Sequence, residues 1–315
     1  MTLKQLEYAL ALQKLGGYGK VAKFMGVSQP AVSLQIQALE EELGIKLFDR
    51  SKKQVEPTTN GNLFLEKAQL LITESKHLED FAVNLSEDIQ GELCLGIIPT
   101  LSPYLVPLFV DELNQRYPKL KLTVKEMITD EVLQGVKDGS LHGGIISTPI
   151  QLKSNLEVCP IFYEKFYLYV SDKHDLFAKD EIGIDELDHD SIWMLKEGNC
   201  FMDQVTNICS LNRKEENELV YESNNIDALR RIVEYKGGIT FVPELATLMI
   251  PSDQEDLLKD IKGSDKVREI SLIQLKSEVR KNLLNSLIGT IKDCIPKQML
   301  NKENKEVVKT NFIEQ

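Results

Sequence analysis

The sequence predicts two unlike parts. One is a small all-α head that carries a helix-turn-helix with a short wing and continues into a long linker helix. The other is an α/β body of two Rossmann-like halves. Three observations predict this. Residues 1–58 place apolar side chains at helical spacing, interrupted by Gly26 and Gly44. Residues 59–88 hold no proline and, after Gly61, no glycine. From Gly91 onward, short apolar runs alternate with amphipathic stretches, the pattern of a parallel sheet with crossover helices.

Composition bounds the function. The 315 residues are 42% hydrophobic and 27% charged, with a net charge of −12. Such a chain builds cores and does not coat nucleic acid with its whole surface. The charge is uneven, however. Residues 1–58 carry eight basic and six acidic side chains, and Glu40, Glu41 and Glu42 account for half of the acids. A basic head on an acidic body is the asymmetry expected where one end meets an anionic partner. No run of ~18 apolar residues exists, so no membrane span is expected. Residues 1–12 lack a basic flank and an apolar leader core, so a cytoplasmic location is expected. Five cysteines then read as reduced thiols, not a disulfide framework.

In the head, Leu3, Leu6, Ala9 and Leu10 begin the first helix. A second, from Gly19 to Met25, turns Val21, Ala22 and Met25 to one face and stops at Gly26. Ser28 stands at an N-cap position, with Pro30 in the first turn, where its missing N–H costs nothing. The third helix runs from Gln29 to Leu43 with Val32, Ile36, Leu39 and Leu43 inward, and Gly44 ends it. Two helices joined by a short glycine-containing turn read either as a helix-turn-helix, whose second helix enters the major groove, or as an ordinary three-helix domain with a solvated polar face. Gln29, Pro30, Ser33 and Gln35 are the outward candidates of that second helix, the polar ones able to read base edges. Residues 45–55 read as a two-stranded wing whose tip, Arg50, Lys52 and Lys53, suits phosphate contacts.

The linker follows, with Thr59 as its expected N-cap. Phe64, Ala68, Leu71, Ser75, Leu78, Ala82 and Leu85 alternate steps of four and three, an a/d seam. Such a seam packs on its own domain or pairs with a second helix. In the body, strands are expected at residues 93–98, 120–124, 144–146, 157–161 and 165–170, with helices from Ser102 to Tyr117 and Thr129 to Asp138. The first half takes residues 91–161 and 268–296, the second residues 162–267. The polar residues 297–315 read as a frayed tail.

Gly198 and Asn199 look like a helix start with Cys200 in its first turn, where the helix dipole favours thiolate. Cys209 follows. On one helix the two are separated by a rise of ~13 Å, whereas a disulfide needs Cα atoms within ~7 Å. The pair is therefore either two small buried apolar side chains or a couple that joins only when the helix rewinds. Cys94, Cys159 and Cys294 read as structural. The four histidines show no metal-ligand spacing, and no P-loop, nucleophile elbow or zinc motif occurs.

The string Ser28-Gln29-Pro30-Ala31-Val32-Ser33, with Gln35-Ile36, Leu39-Glu40, Leu43-Gly44, Leu47-Phe48 and Arg50, resembles the DNA-binding head of the LysR-type transcriptional regulators. Pro57-Thr58-Thr59 with Gly61 resembles that family's junction into its linker. Leu34 departs, since many members carry a basic or small residue there. Pro99-Thr100-Leu101-Ser102-Pro103, the Gly198-to-Cys209 run, and Glu222-Ser223 through Arg230 are similar to the peroxide-sensing OxyR branch, up to about residue 296.

The resemblance implies a periplasmic-binding-protein-like body and a homo-oligomer, a dimer of dimers, paired through the linker on a palindromic double-stranded operator. It implies Cys200 as the thiol attacking hydrogen peroxide and Cys209 as its resolving partner, with Thr100, Thr129, Asn199, Asp203 and Arg268 around them. Many members have His where Asn199 stands. RNA polymerase and a thiol-disulfide reductant are implied partners. No cofactor, metal or enzymatic turnover is implied. The alternative is a regulator that binds a small organic effector between the two halves.

Overall fold

The computed structural model describes residues 1–49, 55–84, 89–152, 155–196, 200–209 and 223–314. They form two compact units, residues 1–85 and 86–315. Among the described residues no helix is long and apolar enough to cross a membrane.

In the first unit, α1 (Leu3–Leu15) is capped by Thr2, whose side chain accepts from the Gln5 N–H. Helix α2 (Tyr18–Met25) ends at Gly26 with φ 67°. Helix α3 (Gln29–Leu43) starts where expected: the Ser28 hydroxyl accepts the Ala31 N–H at 3.4 Å, and Gly44 closes it with φ 69°. The wing pairs β1 (Phe48–Asp49) antiparallel with β2 (Glu56–Pro57). Its tip, with Arg50, Lys52 and Lys53, lies outside the described residues.

Helix α4 (Thr59–Asn84) is 26 residues long. Its cap is Thr58, not the expected Thr59, because the Thr58 hydroxyl accepts the Gly61 N–H at 2.9 Å. The helix shows two apolar faces instead of one seam. Leu65, Ala68 and Ile72 enter the head core beside Leu6, Leu12 and Leu39, with Phe64 packed against that core. Leu63, Leu70, Leu71 and Leu78 stay at least half exposed. Leu85 lies outside the described residues, and the side chain of Ala82 is not described.

The second unit begins with β3 (Gly91–Ile97), α5 (Ser102–Arg116), β4 (Leu120–Glu126), α6 (Thr129–Lys137) and β5 (Gly143–Thr148). Strand β3 lies between β4 and β5, parallel to both, and α5 and α6 are the crossover connections that parallel neighbours require. Strand β6 (Leu156–Val170) then runs 15 residues without a break. The sequence reading divided it in two, 157–161 and 165–170, with Pro160 inside the first piece. The proline is accommodated because the register with the partner strand slips beside it, where Pro160 opposes Ser271, and an irregular position needs no ladder N–H.

Further on are β7 (Glu181–Ile182), β8 (Ile192–Trp193), α7 (Cys200–Cys209), α8 (Ile226–Lys236), β9 (Ile239–Pro243), α9 (Glu244–Thr247) and β10 (Leu258–Ile261). Strand β11 (Lys266–Leu275) returns, α10 (Lys281–Cys294) packs on α5, and β12 (Glu306–Val307) ends the chain's regular structure. Strand β11 pairs antiparallel with β5 and β6. The far end of β6 pairs with β9 and β10. Strand β6 thus takes part in the pairings of both halves.

The tail departs from expectation. Residues 297–314 are not frayed. Lys297–Leu300 forms a 3₁₀ turn that buries Met299 completely. Strand β12 runs parallel to β11, with Val267 opposite Val307, and Val308 is buried. The physical reason is non-local: the edge of β11 offers backbone partners to a polar segment that has only a few apolar anchors of its own.

Candidate functional site

The head presents Gln29, Pro30 and Gln35 exposed on the first turns of α3, with Ser33 half-buried, opposite the buried Val32, Ile36 and Leu39. What fixes α3 against the wing escaped the sequence reading. Glu40 was counted there only as one of three clustered acids. It is buried, and its Oε1 accepts the N–H of Leu47 at 2.8 Å and of Phe48 at 3.1 Å. Lys46 Nζ reaches its second oxygen at 3.1 Å. The available signal was position: Glu40 follows Leu39 on the inward side of α3.

Thr58 donates to the Lys46 carbonyl at 2.7 Å. A Cβ on Gly61 would come within 2.0 Å of the Leu47 carbonyl oxygen, so only glycine lets α4 pass there. Leu47 is the point where the recognition helix, wing and long helix are joined.

In the body, Cys200 opens α7 and is 3% exposed. Its sulfur shares a hydrogen bond with Thr129 Oγ1 at 3.4 Å. Thr129 opens α6 in the first half, whereas Cys200 belongs to the second, so the thiol sits where the halves meet. Burial pushes this thiol up to about 11; the negative charges of Asp203 and Asp130 add to that, while the Thr129 hydrogen bond and the Arg268 charge oppose it. The expected thiolate is therefore a protonated thiol in this geometry. Desolvation outweighs the helix-terminus advantage read from sequence.

Arg268 is fully buried and its donors are committed elsewhere. Its Nε donates to Glu164 Oε1 at 2.6 Å, and Nη1 and Nη2 donate to the Thr100 hydroxyl and carbonyl, each at 3.1 Å. The guanidinium lies 5.0 Å from the centre of the Phe201 ring, the residue next to Cys200. Arg268 and Thr100 are thus brought beside the thiol through Phe201, and the charge of Arg268 acts on it without a direct hydrogen bond. Complete burial pushes the Glu164 carboxyl above the usual range; Arg268 and the Leu245 N–H act against that push.

Asp203 accepts the Asn311 N–H at 3.3 Å, and burial raises its carboxyl. Asn199 lies outside the described residues. Cys209 closes α7 as a buried free thiol, pushed up to about 12 by burial against the pull of Lys266.

Gln204, Ser147 and Glu164 were missed by the sequence reading. Gln204 is fully buried, accepts from the Ser147 hydroxyl and donates to the Val308 carbonyl, each at 3.0 Å. Its signal was the i+4 spacing from Cys200, which puts both on one helix face. For Glu164 the signal was a lone acid in an apolar strand. Cys94, Cys159 and Cys294 are half-buried. Among the described residues no cluster suited to a metal ion occurs.

A helix-turn-helix head and a two-halved α/β body with a central polar site define a bacterial transcription-regulator class. Residues 3–62 match the model of the bacterial regulatory helix-turn-helix protein, lysR family, and residues 86–294 match the LysR substrate binding domain. The chain belongs to the LysR family of DNA-binding transcriptional regulators, and within it resembles the OxyR branch. It is 34% identical over 248 residues to a hydrogen peroxide-inducible genes activator of Haemophilus influenzae, covering 79% of this chain and 82% of that protein. It is 31% identical over 246 residues to the DNA-binding transcriptional dual regulator OxyR of Escherichia coli K12, covering 78% and 80%. The structure of a full-length OxyR variant from Pseudomonas aeruginosa superposes with a TM-score of 0.75 at 27% identity, covering 93% of this chain and 95% of that one. OxyR from Porphyromonas gingivalis gives 0.64 at 29% identity, covering 70% and 100%.

Proposed function

We propose that this protein is a cytoplasmic transcription activator that responds to hydrogen peroxide through Cys200, with Cys209 as resolving thiol. The observation that carries the reading is the placement of two free thiols at the two ends of one ten-residue helix, the first of them hydrogen-bonded to Thr129.

The steps balance as follows. Cys200 loses its proton, and the sulfur attacks one peroxide oxygen. The O–O bond breaks, the leaving hydroxide takes a proton to become water, and Cys200 becomes a sulfenic acid. The Cys209 sulfur then displaces that hydroxyl as a second water and gives the disulfide. Two electrons pass from the two thiols to one peroxide. Thr129 holds the thiol in place, and the Arg268 charge favours its thiolate. Each oxidation is a signalling event reversed by a cellular dithiol reductant, so the protein is a regulator and not a turnover enzyme.

Arg50, Lys52 and Lys53 supply phosphate contacts, and Gln29, Pro30, Ser33 and Gln35 read the operator. The exposed Leu63, Leu70, Leu71 and Leu78 on α4 supply a pairing face, so that a dimer, and a dimer of dimers, presents its recognition helices to a palindromic site. RNA polymerase is the downstream partner. An organic effector would leave the thiol pair without a role. Peptide mass mapping of the purified protein before and after a small excess of hydrogen peroxide tests the reading. A Cys200–Cys209 crosslink is expected; unmodified Cys200 under conditions that change the DNA footprint would overturn it.

A further inference from the structure

The tail engages the helix that would have to rewind. Asp203, Gln204 and Asn207 lie on one face of α7, and all three bond to the tail. Gln204 Nε2 donates to the Val308 carbonyl at 3.0 Å, and Asn207 Nδ2 to the Lys309 carbonyl at 2.8 Å. Asn207 Nδ2 also reaches Asn311 Oδ1 at 3.3 Å, and Asp203 accepts the Asn311 N–H at 3.3 Å.

Both ends of this segment are fastened elsewhere. Upstream, the Glu306 N–H donates to the Asp265 carbonyl at 3.0 Å and the Val308 N–H to the Val267 carbonyl at 2.9 Å, along the edge of β11. Downstream, Thr310 Oγ1 donates to the Pro149 carbonyl at 2.7 Å, and Glu314 pairs with Lys137 at the end of α6. The same α6 holds Cys200 at its other end through Thr129. A strap therefore runs from β11, across α7, to α6.

We propose that residues 306–314 are a latch on α7: they hold its reduced, helical form and must let go before Cys209 can reach Cys200. This rests on the disulfide reading above. The helix geometry separates the thiols by a rise of ~13 Å, and closing the gap requires residues 201–208 to leave the helix. Asp203, Gln204 and Asn207 then lose the positions from which they bond the tail. Release of the latch and rewinding of the helix are one event. The latch sets how fast the second thiol arrives, and the freed segment is itself a change that a partner subunit can read.

Two full-length variants test this. Val308→Pro removes the N–H given to Val267, and Asn207→Ala removes both Asn207 bonds to the tail. Hydrogen exchange of amides 203–209 in the reduced protein is measured first. It should rise by about tenfold or more in both variants, since local protection reports local opening. Unchanged exchange in both would overturn the latch, whether or not any disulfide forms. The second measurement follows disulfide formation by rapid quenching with an alkylating agent after peroxide. Both variants should form the Cys200–Cys209 bond faster than the parent. In the oxidised parent, the Val308 and Asn311 amides should lose protection. A disulfide that forms with those amides still protected would overturn the latch and leave the disulfide reading standing. Faster exchange in the variants with no disulfide in any protein would overturn the disulfide reading, and with it the gating role, and leave only the hold of the tail on the reduced helix.

Discussion

Arg268 and Glu164 meet at 2.6 Å with no solvent exposure on either side chain. Glu164 lies on β6 and Arg268 on β11, opposite one another in the ladder that joins the two halves. The second Glu164 oxygen accepts the Leu245 N–H at 3.0 Å, so the pair also anchors α9.

Glu164→Gln should be costly. It leaves Arg268 charged, buried and facing a neutral amide, and breaking a buried pair costs about 3–5 kcal/mol. Urea unfolding of the reduced body should show a lower midpoint. An unchanged midpoint would mean that water or another carboxylate takes over the guanidinium.

Cys200→Ser should leave the fold and basal DNA binding intact while abolishing the peroxide response. Serine keeps a hydroxyl for Thr129 but cannot be oxidised in this way. A footprint that still changes on peroxide treatment would remove Cys200 from the mechanism.

The pH dependence follows from burial. The folded Cys200 thiol titrates near 11, above the ordinary value of 9.0. Its alkylation rate should therefore climb about tenfold per pH unit from neutrality toward that value, because thiolate is the nucleophile. The stability sign is fixed by the same shift. The folded state holds the proton more tightly, so this contribution is present below pH 9 and is lost as pH rises toward 11. A rate already level at neutral pH would show that the thiol is ionised at rest.

Gly61→Ala should destabilise the head. The added Cβ meets a backbone oxygen at 2.0 Å, and forced overpacking costs about 1–3 kcal/mol. Thermal unfolding of the full chain should show an earlier head transition and weaker DNA binding.

Gln29→Ala should cost about 1–3 kcal/mol of base discrimination and leave nonspecific binding unchanged. Arg50→Ala should weaken binding to all sequences and shallow the salt dependence by about one unit of slope. Equal losses on operator and random DNA for Gln29→Ala would remove its base-reading role.

What was legible in the sequence was local. Ser28, Pro30 and Gly44 mark the ends of α3 because capping and φ preference act within a few residues. What was illegible depended on partners far away in the chain. Residues 162–164 looked like a break between two strands, but the ladder to β11 runs on through Phe162, Tyr163 and Glu164. Residues 297–314 looked unstructured because composition says nothing of an available edge on β11. The position of Cys200 in its helix was readable, but its protonation was not, since Thr129 and the core around Phe201 arrive from other elements. Glu40 was hidden in the run Glu40–Glu42 although its carboxylate ties the wing to α3.

The ladder between β6 and β11 runs from Val267 opposite Lys165 to Leu275 opposite Leu156. Strand β6, shared by the two halves, acts as a beam between them, and its torsional stiffness opposes a change in their relative angle. A ligand that worked by jaw-like closing would have to twist that beam. On the proposed switch, a thiol at its flank need only recast the short helix α7, which is the softer coordinate. A chemical event of a few ångströms would then change the surface at α7 while the ladder between β6 and β11 stays still.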